Sequence, residues 1–359
     1  METVKLGLLI KKTKVARCGE HSYPVLSITK QDGIIMQSEK FKKRIASADT
    51  SDYKIIPRGK LVQGIHIDEG NFGIQDIVDN GIVSPAYGVW DVNDGLVIPK
   101  YLEMVLRSPK SIEFYRSKLT GTVNRRGHMS DADFLSMDIP LPDRDTQSKI
   151  LKTMKQTTSV LYSRQQQLAK LDELIKARFV EMFGDPYTNS KDYPLKKGES
   201  FFKLSNGKAV PESKRLNGGI PAYGGNGISW YTDESLFDAD TIVVGRVGFQ
   251  SGNVHLVKGP LWVTDNAMYM SSCDFSQYNL TFLIELMAHV DFTKFQDAGD
   301  LKKITQKPFM QFEYLCPPLS LQNQFAAFVA EVDKSKADVQ KALDQTQLLF
   351  DSLMQQYFG

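Results

Sequence analysis

Two stretches of the chain carry apolar side chains at alternating intervals of four and three residues. In the first stretch they stand at Ile150, Met154, Leu161, Leu168 and Ile175. In the second they stand at Phe325, Val329, Val332, Val339, Leu343 and Phe350. This alternation is typical of the a and d positions of a coiled coil, and it predicts two long helices with narrow apolar seams. Polar seam positions help to fix helix register and leave room for helices of another protein; they are Thr157, Arg164, Lys336 and Thr346.

The two predicted helices are copies of one pattern. They cover about 145–182 and 320–357, and each is followed by a Phe-Gly pair. A shift of 175 positions, which is 322 minus 147, places Gln147 on Gln322. At about 1.5 Å per residue each helix would be roughly 55 Å long. The sequence therefore predicts a repeated spacer.

The segments that precede the helices repeat as well. A predicted strand and turn at Tyr23-Pro24-Val25-Leu26 corresponds to Ile220-Pro221-Ala222-Tyr223. The strand predicted at 61–67 corresponds to 241–245, and the helix predicted at 101–107 corresponds to 281–288. Ile139-Pro140-Leu141-Pro142 has its counterpart in Cys316-Pro317-Pro318-Leu319. The chain is therefore predicted to be a tandem duplication of a globular domain and a helix.

This duplication predicts an α+β fold with four parts. Residues 1–142 and 185–319 form two similar globular domains, and residues 143–184 and 320–359 form the two long helices. If the helices pair within the chain, their order along it makes them antiparallel and places the domains at opposite ends, with a pseudo-twofold axis between them. The alternative is that each helix packs on its own domain through a broader apolar face.

Composition indicates an ordinary globular protein. The 359 residues are 42% hydrophobic and 24% charged. The three scattered cysteines form no disulfide framework, so we expect a reducing compartment. Neither a signal peptide nor an apolar run of 18 residues is found in the sequence, and we expect a cytoplasmic protein without a membrane segment.

The charge is unevenly distributed. Residues 1–184 hold 28 Lys and Arg against 22 Asp and Glu, whereas residues 185–359 hold 16 against 20, so the net charges are +6 and −4. The first helix holds 8 basic against 5 acidic residues, and the second holds 3 against 5, so their net charges are of opposite sign. Opposite charges favour pairing of the two helices. A net charge of +6 in the first half is compatible with nucleic-acid binding. It is smaller than the large basic excess of a protein that binds DNA strongly by itself.

The sequence contains no catalytic motif that we could identify. A phosphate-binding GxxxxGK[ST] loop and an Asn/Asp-Pro-Pro-Tyr/Phe motif for base methylation are both absent. The five histidines have no spacing suited to a metal, so we predict neither a catalytic residue nor a metal site. The glycine-rich run Gly224-Gly225-Asn226-Gly227 is not a dinucleotide-binding fingerprint, and we predict a tight turn there.

Polar, basic and aromatic side chains on the predicted loops are the candidates for DNA contact. Arg, Asn and Gln recognise base edges in the major groove, and Lys and Arg also bind phosphate. In the second domain the candidates are Tyr223, Asn226, Trp230, Arg246, Gln250, Lys302 and Lys303. In the first they are Lys30, Gln31, Gln63, His66, Arg125, Arg126 and His128. The alternatives are a core role for the aromatic residues and a solvated surface for the charged ones.

The chain as a whole resembles the specificity subunits of type I restriction–modification systems. The second domain carries the recognition pattern of that family in Ile220 to Ile228, Tyr231-Thr232-Asp233, Ile242-Val243-Val244-Gly245-Arg246-Val247-Gly248 and Gly252-Asn253-Val254. Each domain ends in the Pro-rich strand and glutamine of the family, with Gln147 and Gln322. Leu171 to Phe179 and Phe183-Gly184-Asp185-Pro186 are similar to the end of the family's central conserved helix.

The resemblance implies a non-catalytic subunit that recognises a split target in double-stranded DNA. Its helices would set the gap between the two half-sites and bind two methyltransferase subunits, which bring S-adenosylmethionine. Motor–nuclease subunits, which use ATP and magnesium, would complete a complex associated with the nucleoid. The first domain departs from the pattern because Ile65 stands where Arg246 stands. We therefore expect an asymmetric target.

Three alternatives remain open from the sequence. The chain could be a methyltransferase or nuclease with its own recognition repeats, in which case the purified chain would bind S-adenosylmethionine or cut DNA. It could be the specificity unit of another modification-based defence system, with the same domains and different partners. It could also be a scaffold that joins two protein-binding domains, which would show no sequence-selective DNA binding.

Overall fold

The computed structural model describes residues 2–30, 32–40, 49–119, 129–299 and 302–359, which form two compact units. The first unit comprises Met1–Arg164 and Ala342–Gly359, and the second comprises Gln165–Lys341. The described residues are a mixture of helices and strands, which confirms the α+β class. Each unit contains one end of each long helix, because the unit boundaries fall within α5 and α8. The predicted division into two domains and two separate helices therefore stays a prediction.

The strands of the first unit, in chain order, are β1 (Thr3–Lys5), β2 (Ile10–Lys12), β3 (Leu26–Thr29), β4 (Gly33–Met36), β5 (Lys54–Pro57), β6 (Leu61–Gln63), β7 (Phe72–Ile74), β8 (Asn80–Val83), β9 (Gly88–Val92) and β10 (Asp138–Pro140). Its helices are α1 (Gln37–Lys40), α2 (Pro99–Leu106), α3 (Pro109–Lys118), α4 (Asp131–Leu135) and the start of α5 (Arg144–Phe183). The strand predicted at 61–67 ends early, at Gln63. The Gly64 N–H still donates to the Asn71 carbonyl at 2.8 Å in the register of β6 and β7, and a short 3₁₀ turn at Ile67–Glu69 follows in place of further strand.

The strands of the second unit are β11 (Leu195–Lys197), β12 (Phe202–Asn206), β13 (Ile220–Gly224), β14 (Gly227–Thr232), β15 (Thr241–Gly245), β16 (Val254–Val257), β17 (Trp262–Val263), β18 (Ala267–Cys273) and β19 (Glu313–Leu315). Its helices are α6 (Leu280–Ala288), α7 (Lys307–Gln311) and the start of α8 (Leu319–Phe358). Both long helices contain 40 residues, and their observed ends lie within two residues of the predicted ones.

The two units share one strand order, as the duplicated sequence predicts. The main sheet of the first unit has the order β2-β9-β6-β7, and that of the second has the order β12-β18-β15-β16. In both units an antiparallel strand pair precedes the long helix, and a separate hairpin (β3-β4 or β13-β14) accompanies the main sheet. The parallel bridge between Val25 and Ile82 corresponds to the parallel pairing of β13 with β17.

A buried glutamine attaches each long helix to its domain. The Gln147 amide accepts a hydrogen bond from the Ile98 N–H and donates to the Pro142 carbonyl, both at 2.8 Å. The Gln322 amide accepts from the Asn279 N–H at 2.8 Å and donates to the Pro317 carbonyl at 2.8 Å. Both side chains are fully buried. The shared glutamines therefore satisfy backbone groups at equivalent junctions, which explains their equivalent places in the repeat.

Replacing Gln322 with methionine should lower the free energy of unfolding of the second unit by about 1–3 kcal/mol, because the Asn279 N–H and the two carbonyls bound by the amide would lose their partner. Hydrogen–deuterium exchange of the full chain would locate this loss. Gln324→Met is the matched control, since Gln324 is exposed on the same turn of α8. Equal protection in the two variants would contradict the anchoring role.

Burial along the long helices follows the predicted spacing. Ile150, Met154 and Ile175 are buried, as are Phe325, Val329 and Val332. The other apolar seam positions are partly buried; they are Leu161, Leu168, Val339, Leu343 and Phe350. In the first unit the start of α5 and the end of α8 contribute to one core, which also contains α2 and α4 residues.

The two helix segments of the second unit are antiparallel. Asp172 and Lys336 form an ion pair at 2.7 Å, and further along α5 the ring centroids of Phe179 and Phe325 lie 5.6 Å apart. Residue numbers on α8 therefore decrease as those on α5 increase, as in an antiparallel helix pair. The hydrogen bond to the Asp172 carboxylate raises the pKa of Lys336, so this cation in the seam stays charged near neutral pH.

Candidate nucleic-acid interface

Two glycines bring the β13–β14 turn against the loop that follows β15. A Cβ added to Gly245 would lie 2.8 Å from the Gly225 carbonyl oxygen and 2.8 Å from the Gln250 carbonyl oxygen. Both neighbours are backbone atoms, so a side chain at Gly245 would require the loop to move. The glycine-rich turn and the arginine loop, which are 20 residues apart in sequence, therefore form one surface.

The loop from Arg246 to Asn253 is held by backbone hydrogen bonds. The Ile304 N–H donates to the Arg246 carbonyl at 3.0 Å, and the Gly248 N–H donates to the Lys302 carbonyl at 2.8 Å. Val247 and Lys303 form an antiparallel bridge. The structure thus brings together four of the predicted residues of the second domain: Arg246, Gln250, Lys302 and Lys303.

A polar cleft of about 460 Å³ lies beside Arg246. Its other lining residues come from the end of β12 and from the segment at the start of α7; they are Asn206, Thr305, Gln306, Lys307 and Met310. The Gln306 amide donates to the Asn206 side-chain oxygen at 3.3 Å. An arginine, two amides and a lysine at one cleft provide the donors and acceptors that recognise base edges and phosphate.

This surface carries several basic side chains. Arg246, Lys302, Lys303 and Lys307 contribute four cations. Within residues 129–299 and 302–359 no ion pair of these four side chains was found, whereas Lys214 and Lys294 of the same unit do pair with carboxylates. The Arg246 guanidinium donates to the Asp265 carbonyl at 3.4 Å. Cationic side chains of this kind are the groups that bind phosphate.

The three remaining candidates of the second domain differ in exposure. Asn226 is exposed at the tip of the β13–β14 turn. Tyr223 is partly buried against the small core of β15, β17 and β18. Trp230 is also partly buried, and the Arg215 guanidinium lies over its ring at 4.1 Å. Asn226 therefore has the side chain best placed for direct contact, while Trp230 orients Arg215.

Sequence reasoning missed several residues of this surface. Asn206, Gln306 and Lys307 lie far from Arg246 in sequence, and no local motif connects them. Arg215 belongs to a polar segment before β13 without regular periodicity. Its position over Trp230 depends on the β-bridge between Leu216 and Tyr231, which the sequence pattern does not specify.

The candidates of the first domain are less clearly grouped. The Gln63 side-chain oxygen accepts a hydrogen bond from the Trp90 indole N–H at 3.0 Å, so this group already has a structural partner. Lys30 and His66 are exposed. Ile65, at the position equivalent to Arg246, is 55% exposed. Gln31, Arg125, Arg126 and His128 lie outside the described residues, and all seven stay predictions.

A search of the described residues finds no cluster of three or more His, Cys, Asp or Glu side chains that could hold a metal ion. Burial lowers the pKa of His255, so its imidazole is neutral near pH 7. A search of the same residues for a helix long and apolar enough to cross a membrane also finds none.

Comparison with known proteins gives a consistent result at low sequence identity. No family model matches the chain. The chain is 23% identical over 120 residues to the predicted type I restriction enzyme specificity subunit S.HindORF215P of Haemophilus influenzae. It is 23% identical over 113 residues to the specificity subunit of the type I restriction enzyme EcoprrI of Escherichia coli. These matches cover 33% and 32% of this chain and only 31% and 28% of the relatives.

Two solved structures share the fold over nearly the whole chain. The S subunit of the type I restriction–modification system of M. genitalium matches with a TM-score of 0.62 at 15% identity, over 100% of this chain and 96% of that one. A chain from a structure concerned with complex assembly and conformational transition of the type I system matches with a TM-score of 0.61 at 14% identity, over 99% and 97%. The resemblance inferred from the sequence is confirmed: the curated relatives are type I specificity subunits, and the fold is that of type I S subunits.

Proposed function

We propose that this chain is the DNA-recognition subunit of a type I restriction–modification complex. Each unit would bind one half of a bipartite, asymmetric target in double-stranded DNA. The observation that carries the proposal is the repeated domain, whose second copy displays a rigid loop of Arg246 and Gln250 beside Lys302, Lys303 and a cleft lined by amides. The full-length fold match to S subunits supports it.

The two units would recognise different half-sites because their loops differ. Gly64 and Gly245 are equivalent, since their N–H groups donate to the carbonyls of Asn71 and Asn253 respectively. The next residue is Ile65 in the first unit and Arg246 in the second. An exposed apolar side chain and a guanidinium cannot form the same base contacts, so the target is asymmetric.

In this proposal the long helices form an antiparallel coiled coil that separates the half-sites and binds two methyltransferase subunits. Large apolar side chains outside the seam support a docking role, since they are 42–69% exposed: Val160, Tyr162 and Leu174 on α5, and Leu348 and Leu349 on α8. The methyltransferase would bring S-adenosylmethionine, and motor–nuclease subunits would act with ATP and magnesium. The chain itself would be non-catalytic and would act in the cytoplasm, at the nucleoid.

Methylome sequencing tests this proposal directly. The full chain is produced with its methyltransferase subunit in a host that lacks other modification systems. We expect one bipartite sequence with an unspecified gap to be methylated. Methylation or cleavage of DNA by the purified chain alone would contradict the non-catalytic role, and DNA binding without sequence preference in the presence of the methyltransferase would contradict the recognition role.

Arg246→Ala should weaken DNA binding of the complex by about 1–3 kcal/mol and relax one position of one half-site, if the guanidinium binds a guanine edge. Competition binding with targets varied at each position measures both effects. Arg58→Ala is the control, because Arg58 lies in the first unit, where its side chain is paired with Asp79. Unchanged affinity and selectivity would remove Arg246 from the interface.

A further inference from the structure

Phe249 is an unusually exposed aromatic side chain at the centre of the candidate interface. It is 91% exposed, whereas the next most exposed large apolar side chain among the described residues, Leu348, reaches 69%. In sequence it lies three residues after Arg246 and directly before Gln250, and the N–H of the preceding Gly248 donates to the Lys302 carbonyl at 2.8 Å. Packing within the chain does not explain so exposed a phenylalanine in this loop.

The backbone holds Phe249 in this exposed position. The Ser251 N–H donates to the Gly248 carbonyl at 3.0 Å, so Phe249 and Gln250 are the two central residues of a tight turn. The Gly252 N–H donates to the Gly245 carbonyl at 2.8 Å, and the Gln296 amide donates to the Ser251 carbonyl at 2.6 Å. Gly248 has φ +94° and Gly252 has φ +98°, a backbone region that favours glycine. The turn is thus fixed on both sides of the ring.

The surroundings of Phe249 favour DNA over a protein as its partner. Protein interfaces are marked by contiguous apolar patches. In the loop from Arg246 to Asn253, Phe249 is the exposed apolar residue, and the other exposed residues, Gln250 and Asn253, are polar. The major groove offers the matching chemistry: hydrogen-bonding base edges for Arg and Gln, and the C5-methyl group of thymine for an apolar side chain.

We propose that Phe249 contacts the C5-methyl group of a thymine in the half-site bound by the second unit. This inference rests on the proposed DNA-recognition function and adds a specific chemical determinant to it. Arg246 and Gln250 would form hydrogen bonds to neighbouring base edges, and Phe249 would exclude water from the methyl group between them. The half-site must then contain thymine on one of its strands.

Replacing thymidine with deoxyuridine removes this methyl group and leaves the base-pairing edge intact. The complex of the full chain with its methyltransferase is titrated with its methylome-defined target, in which each thymine in turn is deoxyuridine. We expect one substitution to weaken binding about fourfold, the change that corresponds to burying one methyl group. The Phe249→Ala complex should bind the unmodified target at least tenfold more weakly. Its affinity should not change when that thymidine is replaced with deoxyuridine.

Two further variants separate a DNA contact from a general effect. Phe249→Leu keeps an apolar side chain and should retain part of the sensitivity to deoxyuridine. Phe275→Ala removes another exposed phenylalanine, which follows β18 at the end away from Gly245, and should change nothing. Near-ultraviolet circular dichroism would confirm that all variants are folded.

The outcomes distinguish this inference from the function on which it rests. Loss of sequence-selective binding by the unsubstituted complex would overturn the proposed function itself. Selective binding with a half-site lacking thymine, or with deoxyuridine effects equal in Phe249→Ala and the original chain, would overturn only the Phe249 contact. Failure of Phe249→Ala to assemble with the methyltransferase would place the residue in a protein interface and also overturn it.

Discussion

Replacing Phe183 with alanine is expected to lower the free energy of unfolding of the second unit by about 3–5 kcal/mol. The ring is fully buried at the end of α5, and its centroid lies 4.6 Å from that of Phe282 and 5.6 Å from that of Phe325. Alanine would leave a cavity where α5, α6 and α8 meet. Hydrogen–deuterium exchange should show faster exchange throughout residues 165–341.

The repeat supplies a matched variant for this experiment. Phe358 is the residue equivalent to Phe183, and it is buried in the first unit with its centroid 5.8 Å from that of Tyr101. Phe358→Ala should accelerate exchange in the first unit instead. Leu348→Ala, at a position 69% exposed on α8, should leave both units unchanged. A uniform effect of Phe183→Ala on both units would contradict the division into two cores.

Inserting seven residues into both long helices is expected to lengthen the gap in the methylated target without changing either half-site. Insertions after Arg164 and after Lys341 fall at the unit boundaries and preserve the seam, because seven residues form one heptad. Seven residues add about 10 Å of helix, which corresponds to at most about three base pairs of DNA. Methylome sequencing gives the new gap directly.

The control for this experiment is an insertion of the same heptad into α5 alone. One lengthened helix cannot keep its partner positions on both sides of the insertion, so we expect loss of modification rather than a new gap. Four residues inserted into both helices would rotate the seam away from its partner and should also abolish modification. An unaltered gap after the double heptad insertion would refute the proposed spacer.

The long helices could be predicted because their signal is local and repeated. The seam spacing extends over 26 residues, from Ile150 to Ile175, and recurs 175 positions later, and burial in the structure has the same period. Asp143, which directly precedes α5, accepts a hydrogen bond from the Thr146 N–H at 2.9 Å, which also lowers its pKa. Interactions within one turn of helix are visible in a sequence without further information.

The candidate site could be predicted only in part because it depends on contacts between distant segments. Arg246 stands out in sequence beside glycines. Asn206 and Gln306 are 100 positions apart, and the fold brings them together through a side-chain hydrogen bond in the cleft that Arg246 also lines. The role of Gln63 was also hidden, since its partner Trp90 lies on another strand. In each case the tertiary fold decides whether a polar side chain is available to a ligand.

The packing of Gly225 on Gly245 has a consequence for how new specificities can evolve. A side chain at Gly245 would displace facing backbone, and a Cβ at Gly225 would lie 3.3 Å from the Gly245 Cα, so these two positions form a closely packed frame. Asn226, Phe249 and Gln250 are exposed around that frame and can change without disturbing it. Under the proposed DNA-recognition function, such proteins would acquire new targets by single substitutions at a few surface positions, with little cost in stability at each step.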